Sequence, residues 1–130
     1  MMKTWLAVVV AVTASASTAT AQDAAKGKAD FVVCSACHAV GPDAANMLGP
    51  ELNGLDGRKA GSVPDYPYSE ANKKSGIVWN GATFTQYIKN PQAMVPGTKM
   101  YFAGINDPQK IDDLWAYISQ FDADGSVKKK

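Results

Sequence analysis

Both cysteines and the only histidine of this 130-residue chain fall within five consecutive positions, Cys34-Ser35-Ala36-Cys37-His38. Two thiols and an imidazole at this spacing match the attachment signature of a c-type haem. The thiols add to the haem vinyl groups as thioethers, and the imidazole takes one axial position on iron. Two intervening residues bring both sulfurs to one side of a single turn. A histidine directly after the second cysteine then swings its ring under the porphyrin plane. Two other chemistries use Cys-x-x-Cys: a redox dithiol, which sits beside a βαβ pattern that this sequence lacks, and a structural zinc site, which needs a further Cys or His that the chain does not contain.

The elements that must position this motif read as helices separated by Gly- and Pro-rich loops, which predicts an all-α fold. Asp23 to Val33 forms a helix leading into the motif, with Asp23 as N-cap and Gly27 and Phe31 on one face. Residues 41–67 carry glycine at 41, 49, 54, 57 and 61 and proline at 42, 50, 64 and 67, which excludes a long regular element. Irregular chain of that length needs a surface to pack on, and a haem edge would supply one. Short helices resume at Ser69-Glu70-Ala71-Asn72-Lys73-Lys74 and at Thr83 to Lys89, the latter stopped by Asn90-Pro91. Asp107-Pro108 opens the last helix, where Ile111, Leu114, Trp115, Ile118 and Phe121 form one apolar stripe. From about residue 123 the chain is polar and ends in three lysines, which reads as a flexible solvated tail.

Met1-Met2-Lys3, the apolar run Trp5 to Val12 and the small residues Ala19-Thr20-Ala21 make residues 1–21 a secretory signal peptide, cleaved after about Ala21. The apolar run is too short to span a bilayer, which takes about 20 residues. Removing 21 of the 130 residues leaves 109, one domain spanning 22–130. The expected location is the periplasm, where thiols captured on haem escape oxidation. Loss of Lys3 lowers the basic residues from 13 to 12, against 12 acidic ones. Neutrality argues against nucleic acid and against a strongly anionic membrane as partner.

From about Asp23 to Phe121 the chain resembles the class I cytochromes c, the group of mitochondrial cytochrome c and bacterial cytochrome c2. The likeness rests on motifs in the family's order: Gly27 with Phe31, Cys34-Ser35-Ala36-Cys37-His38, Gly49-Pro50, Gly57-Arg58-Lys59, Tyr68-Ser69-Glu70-Ala71-Asn72, Trp79, Asn90-Pro91 and Pro96-Gly97-Thr98-Lys99-Met100. The resemblance implies a small monohaem fold, helices and loops wrapped around one covalent haem c, and a first helix locked to the last by Gly27 and Phe31 against Leu114 and Tyr117. Of the mature methionines Met47, Met94 and Met100, it assigns the second axial position to Met100. His/Met ligation raises haem potential and leaves iron no open site, a carrier's requirement rather than an enzyme's.

By the same likeness, Pro50 accepts the His38 ring N–H. Arg58, Tyr68, Ser69 and Trp79 hold the propionates, and Asn72, Tyr87 and Thr98 form the polar cluster on the methionine side. Pro67 stands where the family often has a hydroxyl. The lysines that ring the haem edge in mitochondrial proteins correspond here to Ala29, Met47, Gln92, Ala93, Asn106 and Asp107, with Lys99 as the main survivor. The implied role is a soluble, monomeric electron carrier between membrane redox complexes, a bc1-like donor and an oxidase, reaction centre or reductase as acceptor. The competing classes are a haem peroxidase or nitrogen-oxide enzyme with an open axial site, and a thiol-disulfide oxidoreductase with free Cys34 and Cys37.

Overall fold

Helix α1 (Ala24–Asp30) begins where Asp23 leaves the extended region, its carboxylate accepting the N–H groups of Ala25 at 3.0 Å and Lys26 at 3.1 Å. The computed structural model describes residues 2, 11–13 and 22–129, so the expected signal peptide, residues 1–21, lies almost wholly outside the described residues. A 3₁₀ turn over Phe31–Val33 tightens the end of α1 and passes directly into Cys34. The helix expected over 23–33 thus ends as α-helix at Asp30, and its last turn rotates the two cysteines toward the interior.

Four more helices follow: α2 (Glu70–Lys74), α3 (Gly81–Lys89), α4 (Pro91–Met94) and α5 (Pro108–Ser119). Ser69 caps α2 through its hydroxyl, which accepts the Asn72 N–H at 3.0 Å. Asn80 and Thr83 form a reciprocal capping box that starts α3 two residues before the predicted Thr83. Asn90-Pro91 ends α3 as expected but also begins α4, with the Asn90 side chain accepting the Ala93 N–H at 3.2 Å and Pro91 in the first helical turn. Among the described residues there is no strand, only isolated bridges between Lys59 and Val78 and between Phe121 and Val127. Nor is any described helix long and apolar enough to cross a membrane.

The core forms where α1 crosses α5. Gly27 makes the crossing close: a Cβ there would fall on the Asp113 carbonyl and lie 2.8 Å from the Tyr117 Cβ. Phe31 meets Tyr117 edge-on at 5.5 Å between ring centroids, and Tyr117 meets Phe121 at 5.4 Å. Ile111, Leu114 and Ile118 are fully buried on α5; each is worth about 1.5–3 kcal/mol relative to exposure. Phe84 of α3 packs on Trp115 from the other side at 5.1 Å.

The frayed tail expected after residue 123 is replaced by a turn tied to the body. Gly125 donates its N–H to the Asp122 carbonyl at 2.8 Å, and Lys128 donates to Gln120 at 2.8 Å. Gly125 adopts φ 85° and lies against the Gly41 backbone, a contact that a side chain would block. The segment's residues, Gly125 aside, are exposed, as the polar composition suggests, while backbone pairing holds the segment to the body.

Candidate functional site

His38 is set by two neighbouring loops. Its backbone N–H donates to the Cys34 carbonyl at 2.9 Å, closing the turn that holds both cysteines, and the Gly49 N–H donates to the Cys37 carbonyl at 2.8 Å. The ring Nδ1 lies 2.7 Å from the Pro50 carbonyl oxygen. A carbonyl can only accept, so Nδ1 carries the proton and Nε2 keeps the lone pair that binds metal. Burial holds the His38 pKa below its ordinary value, the Pro50 bond opposes this, and the nearby Arg58 charge adds to the lowering. The imidazole is therefore neutral, as a ligand must be. Gly49 lies against the ring itself: a Cβ there would sit 2.8 Å from Nδ1 and 2.9 Å from Nε2.

Burial, with Cys37 and Asp30 adding to it, pushes the Cys34 thiol up to about 11. Redox-active dithiols need the opposite shift, toward an accessible thiolate. The environment suits a thiol consumed in a bond better than one that cycles.

These groups open on a cavity of about 440 Å³, within the size range of small-molecule and cofactor sites. Cys34, Cys37, His38 and Pro50 line it from the first loop, and Thr98 and Met100 from the chain between α4 and α5. Arg58, Tyr68, Ser69, Asn72, Trp79 and Tyr87 line it as well, so all twelve residues singled out in the sequence meet around one space. Met47 and Met94 are not in its lining. Leu55, Phe84, Ile88, Leu114 and Ile118 complete an apolar floor.

Polar side chains are arranged at particular places on the wall. Arg58 Nη1 donates to the carbonyls of Glu51 at 2.9 Å and Asn53 at 3.1 Å. The Tyr68 hydroxyl accepts the Val63 N–H at 3.1 Å. Buried Trp79 meets Tyr87 edge-on at 5.0 Å. The Tyr87 hydroxyl and Thr98 Oγ1 are 2.9 Å apart, and Thr98 Oγ1 also accepts the Met100 N–H at 3.3 Å. Asn72 Oδ1 is buried without a hydrogen-bond partner among the described residues, the signature of a polar atom whose partner is not protein.

Two thiols, one neutral imidazole and one thioether on an apolar cavity, with cationic and hydroxyl groups on its wall, fit a covalent haem and its propionates. Nothing in the sequence marks Tyr66, which lines the cavity, or Glu51, which lies behind Arg58. Tyr66 lines the cavity and donates its hydroxyl to the Leu48 carbonyl at 2.7 Å, strapping two loops together. Glu51 Oε1 lies 3.7 Å from Arg58 Nη1. Both are loop residues whose partners follow no periodic spacing.

The family model described as cytochrome c matches residues 24–122. The chain is 59% identical over 106 residues to cytochrome c-550 of Bradyrhizobium diazoefficiens, covering 82% of this chain and 78% of that protein. It is 55% identical over 115 residues to cytochrome c2 of Blastochloris viridis, covering 88% and 91%. Among solved structures, cytochrome cH from Methylobacterium extorquens superposes with a TM-score of 0.69 at 46% identity, covering 74% of this chain and 96% of that one. The cavity with its paired thiols and these matches together place the chain in the cytochrome c family, as a class I c-type cytochrome that carries covalent haem c and transfers electrons rather than catalysing a reaction.

Proposed function

We propose that this cytochrome is a soluble, monomeric, periplasmic one-electron carrier whose haem c is held covalently by Cys34 and Cys37 and ligated axially by His38 and Met100. The observation that carries the reading is the pairing of a neutral His38 and Met100 on one cavity, from segments on opposite sides of the core sequence. Bound haem would supply a one-electron ferric/ferrous couple, with His38 and Met100 as the residues that would hold its iron.

The protein's own residues do the remaining work. Pro50 fixes the His38 tautomer and strengthens its ring as a donor. Thr98 ties the Met100 backbone to Tyr87, so the thioether is held by a packed pair rather than by a free loop. Burial pushes the Tyr87 hydroxyl up, the Thr98 bond pulling the other way, and the phenol stays a neutral partner in that cluster. Arg58, Tyr68, Ser69 and Trp79 hold the propionates, and Asn72 completes the polar side of the methionine face.

Around the mouth, Val33, Leu48 and Tyr101 are exposed apolar side chains. Lys99, the one lysine lining the cavity, is hydrogen-bonded to the Pro67 carbonyl. An apolar rim of this kind suits docking by contact rather than by charge, on membrane redox complexes: a bc1-like donor, and an oxidase, reaction centre or reductase as acceptor. In this reading residues 1–21 are removed on export.

The test is an acid–acetone extraction of the protein purified from the periplasm, followed by a haemochrome spectrum. The reading requires haem to stay with the chain and to be lost from a Cys34→Ala, Cys37→Ala variant. Haem that extracts freely, or protein recovered with free thiols that a thiol reagent titrates, would refute it.

A further inference from the structure

Arg58 is the only arginine of the chain, and Glu51 is one of its two glutamates. Both are largely buried beside the cavity, with side-chain exposures of 13% and 22%, and their closest charged atoms are 3.7 Å apart. The carboxylate is itself held in place. Glu51 Oε2 accepts the Asn53 N–H at 2.6 Å, the Glu51 N–H donates to Asn46 Oδ1 at 3.0 Å, and Asn46 Nδ2 donates to the Pro64 carbonyl at 3.0 Å. Every acceptor recorded for Arg58 among the described residues is reached through Nη1. Nη2 and Nε remain for an anion on the cavity side, where a guanidinium offers a planar fork to a carboxylate.

A cation held between a fixed carboxylate and a second anion divides its charge between them. We infer that Glu51 is a positioning residue that fixes Arg58 with one edge toward the haem carboxylates and partly neutralises it, lowering the haem's midpoint potential. The inference rests on the proposed haem site. Ferric haem carries one more positive charge than ferrous, so positive potential nearby favours the reduced state. Glu51 withholds part of that potential, and its burial limits screening by salt.

The test is an equilibrium redox titration of the holoprotein and its variants, each first shown by absorbance to keep covalent haem with unchanged axial bands. A failed haem site would appear in that spectrum, before any potential is read. Glu51→Gln should shift the midpoint upward, and Glu51→Asp, which keeps the charge on a shorter stem, should shift it upward by less. In an Arg58→Gln background most of the Glu51→Gln shift should vanish. A Glu51→Gln midpoint at or below that of the unmodified protein overturns the inference. So does a Glu51→Asp shift as large as that of Glu51→Gln, or a Glu51→Gln shift undiminished without Arg58. Should Glu51→Gln fail to fold, Glu51→Asp decides alone: an upward shift supports the inference and an unchanged midpoint overturns it.

Discussion

Gly49→Ala isolates the support of His38 in a single methyl group. The φ of Gly49 is not in the left-handed region, so alanine is tolerated by the backbone and the added carbon acts through contact alone. That carbon would overlap the His38 Cε1 and sit 2.8 Å from Nδ1, whereas ordinary contact starts near 3.4 Å, so the ring or the loop must give by about 1 Å. Such a shift stretches the 2.7 Å bond to Pro50 beyond useful range. Overpacking of this kind costs about 1–3 kcal/mol. The lost hydrogen bond adds about 0.5–1.5 kcal/mol, while removing a glycine from the unfolded chain returns about 0.4–1 kcal/mol. The net is a loss of about 2 kcal/mol, or about 8 °C in the thermal midpoint of a domain this size. Thermal unfolding followed by circular dichroism on the holoprotein measures it, and a changed imidazole signature in the proton NMR spectrum locates the strain at His38. An unchanged midpoint with unchanged imidazole signals would refute the steric argument.

Other perturbations test other parts of the account. Gly27→Ala should push α1 off the Asp113 carbonyl and Tyr117; strain of about 3 kcal/mol, reduced by about 1 kcal/mol of helix propensity, lowers the denaturant midpoint by a net loss of about 2 kcal/mol. Asn53→Ala removes both bonds of a buried side chain to Gly41, at 2.9 Å to its N–H and 2.8 Å to its carbonyl. A loss of about 2 kcal/mol in chemical denaturation is expected, because the Gly41 N–H is left unpaired while its carbonyl keeps the Ala44 N–H at 3.1 Å. The apolar rim predicts that the second-order rate with a membrane redox partner falls less than about twofold as ionic strength rises from about 0.01 to 0.15 M, across which the Debye length shrinks from about 30 to 8 Å. Stopped-flow kinetics over that range would reveal a basic docking patch as a steep fall.

The parts legible in the sequence were those written in local spacing. Asp107-Pro108 and the apolar stripe place α5 because cap and periodicity need no tertiary information. The five positions from Cys34 to His38 declare their chemistry because their reactive groups are adjacent in the chain. The second role of Asn90-Pro91 was hidden because one dipeptide both ends α3 and caps α4, and a proline reads first as a stop. The turn after Phe121 was hidden because its hold is backbone pairing and the close approach of Gly125 to Gly41, neither of which leaves a mark in composition. The Glu51 to Arg58 pairing is of the same kind. It crosses a glycine-rich loop whose path is set by what it wraps.

The central claim is that Met100 closes the other side of the iron from His38. Ferric haem bound to a methionine sulfur shows a weak charge-transfer band at the red end of its spectrum, and recording it for the ferric holoprotein and three variants decides the matter. The band should be present in the unmodified protein, persist in Met47→Ala and Met94→Ala, and disappear in Met100→Ala as small exogenous ligands begin to bind the resting protein quickly. A band that survives Met100→Ala, or its absence from the unmodified protein, would contradict the claim.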